Sequence, residues 1–186
     1  MRLVLCSRNP YKLEELRAAL PDWSIVPLDA DDYPPETGET YYENARAKAL
    51  HGRRAAPADV WVVGEDSGIE LDAFGGEPGV HSARWAAEGR QDLALLERLA
   101  GVADRRARMI THAVAISPDG REVDTVGVLD GEIAPEARGT DGFGYDPVFV
   151  PEGETRTVAE LGDGWKRGHS HRALAAAALR AAICAS

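Results

Sequence analysis

The sequence predicts an α/β or α+β fold on a mixed sheet. Three observations carry this expectation. Short apolar runs of strand length alternate with segments whose leucines recur at helical spacing. Two longer apolar-rich runs, Ala107 to Ser117 and Arg121 to Leu129, are joined by Pro118-Asp119-Gly120, a turn suited to an antiparallel hairpin. Across all 186 residues there is no internal repeat, low-complexity segment or linker that would separate independent domains.

Arg2 to Cys6 reads as the first strand, followed by a turn and a helix whose buried side is Leu13, Leu16 and Leu20. Asn9 is a favoured N-cap and Pro10 suits the first helical position, so two independent signals place that helix start. Trp23 to Leu28 is a second strand, and Asp29 to Gly38 an acidic, proline-containing loop. Thr40 and Glu43 form a capping-box pattern that opens a helix running to about Ala56. Val60 to Val63 reads as a buried strand that delivers Glu65, Asp66 and Ser67 into a turn at Gly68, with a second short strand from Ile69 to Asp72. Gly75 to Gly79 is a turn. Leu93, Leu96 and Leu99 mark a helix, Gly139 to Pro147 a glycine-rich loop, Val148 to Val150 a short strand, and a last helix starts at Ser170.

Composition narrows the function classes. Hydrophobic residues make up 44% and charged residues 28%, as in a globular domain, which argues against global disorder. The stretch from Ala173 to Ala185 is too short and, with Arg180, too polar to span a bilayer. Only Leu3 to Cys6 precede Arg8 as an apolar run, too little for a secretory signal, so a cytoplasmic protein is expected. Cys6 and Cys184 lack metal-type spacing and read as free thiols. A formal charge of -10 disfavours a polynucleotide or an anionic membrane as partner. Within that acidic chain the tail after Asp163 is a basic island. Only Lys12, Lys48 and Lys166 are lysine among 21 cationic residues, and an ammonium is not interchangeable with a guanidinium fork.

Two helix starts carry cations where the macrodipole is positive. Lys12 stands at the third position of the first helix, at a cost of about 0.3–1 kcal/mol. His171 and Arg172 occupy the first turn of the last. An anionic ligand would offset both, and a strand, turn and helix N-terminus is an arrangement that offers N–H groups to phosphate, with Ser7, Arg8, Asn9 and Lys12 around it. Capped helices with solvated cations, offset in the first case by Glu14 and Glu15, account for the same residues. Neither a Walker A sequence nor a Rossmann fingerprint is present. Glu36, Glu39, Glu65 and Asp66 offer hard oxygen ligands suited to Mg²⁺, or are solvated loop acids. Asn44 and Lys48 share a helix face, Glu43 reads as a cap, and Phe143 and Tyr145 are either a platform for a base or packing anchors.

Taken in order, these segments resemble the inosine triphosphate pyrophosphatase family, which acts on noncanonical purine nucleoside triphosphates. The likeness runs from Leu5-Cys6-Ser7-Arg8-Asn9-Pro10-Tyr11-Lys12 through Glu36 to Thr40, Glu43-Asn44-Ala45, Glu65-Asp66-Ser67-Gly68 and Pro78 to Arg84. It continues with Gly142-Phe143-Gly144-Tyr145-Asp146-Pro147, Ala159-Glu160-Leu161, Lys166 and Ser170-His171-Arg172. The resemblance implies an α/β fold of two lobes, elongated around a long mixed sheet, with a nucleotide in the cleft between them, and a homodimer. It implies hydrolysis of dITP, ITP or XTP to the monophosphate and pyrophosphate, with Mg²⁺ as cofactor. Carried over by position, Ser7, Arg8, Asn9, Pro10, Tyr11 and Lys12 would hold phosphates, and Glu36 and Asp66 the metal. Asp66 would accept the proton of the attacking water and Ser67 would touch substrate. Phe143, Gly144, Tyr145, Asp146, Lys166, His171 and Arg172 would form the base pocket. The chain departs from the family's usual threonine-glycine at Ser7-Arg8, its paired aspartates at Glu65-Asp66, and its acidic residues at Gly164-Trp165. A noncatalytic purine-nucleotide sensor and a Maf-like pyrophosphatase of different base preference are the rival readings.

Overall fold

The computed structural model describes residues 1–87 and 89–185. Its elements are β1 (Arg2–Leu5), α1 (Pro10–Ala19), β2 (Ser24–Pro27), α2 (Tyr41–Ala55), β3 (Trp61–Leu71), α3 (Gln91–Arg98), β4 (Arg106–Ile116), β5 (Glu122–Ile133), β6 (Phe149–Pro151), α4 (Val158–His169) and α5 (His171–Cys184). The strands form one mixed sheet in the order β2-β1-β3-β4-β5-β6. β1 runs parallel to β2 and β3, and β6 antiparallel to β5. This is the mixed sheet that the alternating elements predict, in the α/β class that the family resemblance implies.

The chain divides into two compact units. The first comprises Met1–Asp66, Thr111–Gly127 and the chain from His171 onward; the second comprises Ser67–Ile110 and Val128–Ser170. In the first unit the period of two along each strand sends side chains to two separate cores. Leu3, Leu5, Val63, Ala113 and Ala115 pack with Leu16 and Leu20 of α1 and Ala175, Ala176 and Leu179 of α5. Val4, Cys6, Val62, Val114 and Ile116 pack with Ala45 and Ala49 of α2. Helices thus cover both faces there. In the second unit Ile69, Leu71, Ala107, Met109 and Ile133 build a core with Leu95, Leu99, Tyr145, Phe149 and Val158.

Local signals placed most elements well. Asn9 Oδ1 accepts from the Tyr11 N–H at 3.0 Å, and Pro10 is the first helical residue. Thr40 and Glu43 cap α2 reciprocally, and Ser117 and Arg121 close the β4–β5 hairpin at 2.9 Å. Both cysteines are free; Cys6 is buried, which pushes its thiol up to about 11.

Two expectations need correction. No turn interrupts the chain at Gly68, because β3 is one strand of 11 residues that carries Glu65 and Asp66 within it. Buried carboxylates are tolerated in a strand when each finds cationic or amide partners, and both do so here. The last helix begins at His171, directly after the Ser170 start that the sequence marks, and Ser170 also ends the helix before it. That preceding helix, α4, is absent from the sequence reading. Thr157 and Glu160 form its capping box, but Gly162 bends it at φ 76°, and Gly164 and Gly168 lower its helical propensity.

Candidate functional site

The turn between β1 and α1 is held by its own side chains. Ser7 Oγ accepts from the Asn9 N–H at 3.2 Å, and Asn9 in turn caps the helix. The first turn of α1 contains no acidic residue. Lys12 nevertheless finds a counter-charge on β3, with its Nζ 2.8 Å from Glu65 Oε1.

Glu65 also receives Arg172 from the first turn of α5. Arg172 Nε donates to Glu65 Oε2 at 2.6 Å and Nη2 to Oε1 at 3.3 Å, while Nη1 pairs with Glu15 of α1. Glu65 and Arg172 are only 3% and 2% exposed. Burial alone would push the Glu65 carboxyl up, but Arg172 and Lys12 together hold it well below the usual carboxylate range. Burial works against the Arg172 charge as well, and Glu65 and Glu15 more than offset it. The anion that faces both cationic helix starts is thus an internal carboxylate, Glu65.

Asp66 has a separate set of partners, drawn from α2. Asn44 Nδ2 donates to Asp66 Oδ2 at 3.1 Å, and Lys48 Nζ to Oδ1 at 3.0 Å and to the Glu65 carbonyl at 3.0 Å. Lys48 also pairs with Glu36, so one ammonium bridges two carboxylates. Burial disfavours the Lys48 charge, but Asp66 and Glu36 raise its pKa overall. Such close approach of α2 to β3 requires Gly64. A Cβ there would lie 2.1 Å from the Ala45 carbonyl oxygen and 2.5 Å from the Ala49 nitrogen. Asn44 also steadies the loop ahead of α2, its Oδ1 accepting from the Gly38 N–H at 2.8 Å.

Arg8 reaches the segment before α2. Its Nη2 donates to the Asp31 carbonyl at 2.8 Å, and its guanidinium lies 4.7 Å from the centre of the Tyr33 ring.

Among the described residues no three or more His, Cys, Asp or Glu side chains are grouped to enclose an ion. The Glu36 and Asp66 pair suits Mg²⁺ all the same, since that ion is commonly held by one or two carboxylates together with substrate phosphate and water. The Lys48 bridge shows that both carboxylates reach one cationic centre.

The second unit contains the aromatic loop. Asp146 accepts from the Phe143 N–H at 2.9 Å and from Lys166 Nζ at 2.7 Å. Lys166 Nζ lies 5.1 Å from the Phe143 ring centre. Tyr145 is buried and donates to the Ser82 carbonyl at 2.9 Å, so it anchors the loop; burial and then Asp92 raise its hydroxyl. Gly144 is exposed in the left-handed region, and Ser67 is half-buried on β3. His171 and Arg172 belong to the first unit, with Ser7 to Lys12, Glu36 and Asp66.

Sequence reasoning did not find the Glu15 and Arg172 pair, 157 positions apart, or the Arg8 and Tyr33 stack. Asn44 was visible only as sharing a helix face with Lys48. No local pattern announces either long-range pair.

The Ham1 family model matches residues 3–182 of this chain. A dITP/XTP pyrophosphatase of Symbiobacterium thermophilum is 48% identical over 185 residues, covering 95% of this chain and 91% of the relative. One of Deinococcus deserti is 40% identical over 186 residues, covering 97% and 88%. Among solved structures, a HAM1 protein from Coxiella burnetii superposes with a TM-score of 0.87 at 32% identity, covering 100% of both chains.

Proposed function

This chain belongs to the Ham1 family, and on that premise we propose that it hydrolyses noncanonical purine nucleoside triphosphates, dITP, ITP and XTP, to the monophosphate and pyrophosphate. The observation that carries the reading is Asp66, a buried carboxylate fixed on both oxygens by Asn44 and Lys48 in the same unit as the Lys12 helix start.

The triphosphate tail meets the N–H groups at the start of α1 and the Lys12 ammonium, in the segment Ser7 to Lys12. Lys12 would exchange its contact with Glu65 for a phosphate oxygen, while Arg172 stays on Glu65 and keeps that carboxylate in place. Asp66 accepts the proton of the water that attacks the α-phosphorus. A carboxylate has about four lone-pair sites, and the Asn44 and Lys48 contacts leave room for that acceptance. Glu36 and Asp66 would hold Mg²⁺, which when bound neutralises charge on the phosphates and the departing pyrophosphate.

Base choice belongs in this reading to the Phe143 to Asp146 loop with Lys166, and to His171. Donors aimed at a 6-oxo group go unpaired against the amino group of adenine, so adenine nucleotides are rejected. Rejection of guanine requires crowding or an unmatched donor opposite its 2-amino group. A homodimer working on the cytoplasmic nucleotide pool completes the proposal, and sedimentation or light scattering checks the dimer.

The test is pyrophosphate release from dITP, ITP, XTP, GTP and ATP, with and without Mg²⁺. The first three should turn over with Mg²⁺, and GTP and ATP should lag well behind. Equal turnover of GTP and ITP would overturn the base selectivity, and tight binding with no release would overturn the catalytic reading.

A further inference from the structure

Residues 28–40, between β2 and α2, contain neither helix nor strand, yet they carry Glu36. A segment of that length without its own ladder must be held by side chains. Its two ends are tied by backbone and amide contacts: the Leu28 N–H donates to the Leu5 carbonyl at 2.8 Å, and the Gly38 N–H to Asn44 at 2.8 Å. The crest between them is Asp31 to Tyr33. There the Tyr33 hydroxyl donates to the Leu28 carbonyl at 3.0 Å, and the ring stacks on His51 of α2 with centroids 6.0 Å apart. Arg8 adds a further tie, donating to the Asp31 carbonyl while its guanidinium lies over the Tyr33 ring. A guanidinium can stack and donate in one pose, which an ammonium cannot do.

We propose that Arg8 is a positioning residue: it straps the Asp31–Tyr33 crest to the loop that opens α1, and so sets the Glu36 carboxylate against Lys48. On this account its guanidinium serves the protein's own loop and not a substrate phosphate. The claim that Arg8 tunes the divalent-ion requirement rests on the proposed role of Glu36 as a Mg²⁺ ligand; the strap itself does not. Exposed stacking of this kind corresponds to a change of about two- to fivefold when removed.

Arg8→Ala, Arg8→Lys and Tyr33→Leu are compared with the unaltered chain in two measurements. Amide hydrogen exchange of the metal-free, nucleotide-free protein should quicken across residues 28–40 in all three variants, by about two- to fivefold, with the strands unchanged as the folding control. The Mg²⁺ concentration for half-maximal pyrophosphate release from dITP should rise by a similar factor in all three. Arg8→Lys should rescue neither, and the Arg8→Ala, Tyr33→Leu double variant should be no worse than either single. Unchanged exchange in Arg8→Ala overturns the strap. A lysine that restores nucleotide KM at every Mg²⁺ concentration overturns it too, because that is the signature of a charge held for phosphate. Quickened exchange with an unmoved Mg²⁺ midpoint overturns the link to Glu36; Glu36→Gln, read in the same titration, then tells whether the metal role of Glu36 has failed as well.

Discussion

Glu65 and Asp66 are consecutive residues of β3, yet their carboxylates are held by different side chains: that of Glu65 by Lys12 and Arg172, that of Asp66 by Asn44 and Lys48. The period of two along a strand explains the separation, since neighbouring side chains leave opposite faces of the sheet. α1 and α5 lie on one side of the first unit and α2 on the other, as its two cores show. One acid is thereby enclosed as a clamp between two helix starts. The other is left beside Glu36, where reaction chemistry is proposed.

Asp66→Asn removes the proposed proton acceptor while keeping its size and much of its hydrogen bonding. Pyrophosphate release from dITP should fall by about 10²- to 10⁴-fold with an unfolding midpoint close to the parent's. Turnover retained in this variant would remove Asp66 from the role.

Glu65→Gln removes the carboxylate opposite Lys12 and one of the two that hold Arg172, Glu15 remaining, so the loss should stay at or below about 3–5 kcal/mol, the cost of a buried pair broken on one side. The depressed pKa of Glu65 fixes the sign of the pH effect. Its contribution is complete above the unfolded carboxyl value of 4.5 and is lost progressively as pH falls toward the lower folded value. Urea unfolding between pH 7 and pH 3 should show a steeper acid loss in the parent than in Glu65→Gln.

Gly64→Ala puts a methyl where the α2 backbone already stands. Overpacking should cost about 1–3 kcal/mol and draw Asn44 and Lys48 away from Asp66, so turnover should drop more than the stability change explains. Denaturant unfolding and steady-state rates on the same preparation separate the two effects.

Chelation should stop pyrophosphate release yet leave thermal stability nearly unchanged, because Lys48 itself bridges Glu36 and Asp66. In Lys48→Met the two carboxylates face one another unbridged. Added Mg²⁺ should then raise the melting temperature more than it does in the parent, an effect read directly by differential scanning fluorimetry.

What the sequence makes legible is what neighbours decide. Asn9 and Pro10, Thr40 and Glu43, and Pro118-Asp119-Gly120 each act over a few positions, and each places its element correctly. The continuity of β3 was hidden because its acids are stabilised by residues at positions 12, 44, 48 and 172, and because Gly68 reads as a turn. α4 was hidden by three glycines although its capping box was in plain view. Misplaced cations at two helix starts were readable as an anomaly, but nothing local identified Glu65 as the anion opposite them. The resemblance supplied candidate residues by position; that Lys166 rests on Asp146 and Arg8 on Tyr33 required the fold.

The Arg172 grip on Glu65 also has a consequence for biosynthesis. Its guanidinium, and the α5 side chains that complete one core of the first unit, are translated only after every strand of the sheet. A nascent polypeptide emerging from the ribosome therefore lacks both the charge that tames a buried acid and the apolar cover for its earliest strands. Chains cut short before residue 171 should therefore be destroyed by proteases rather than persist in weakened form.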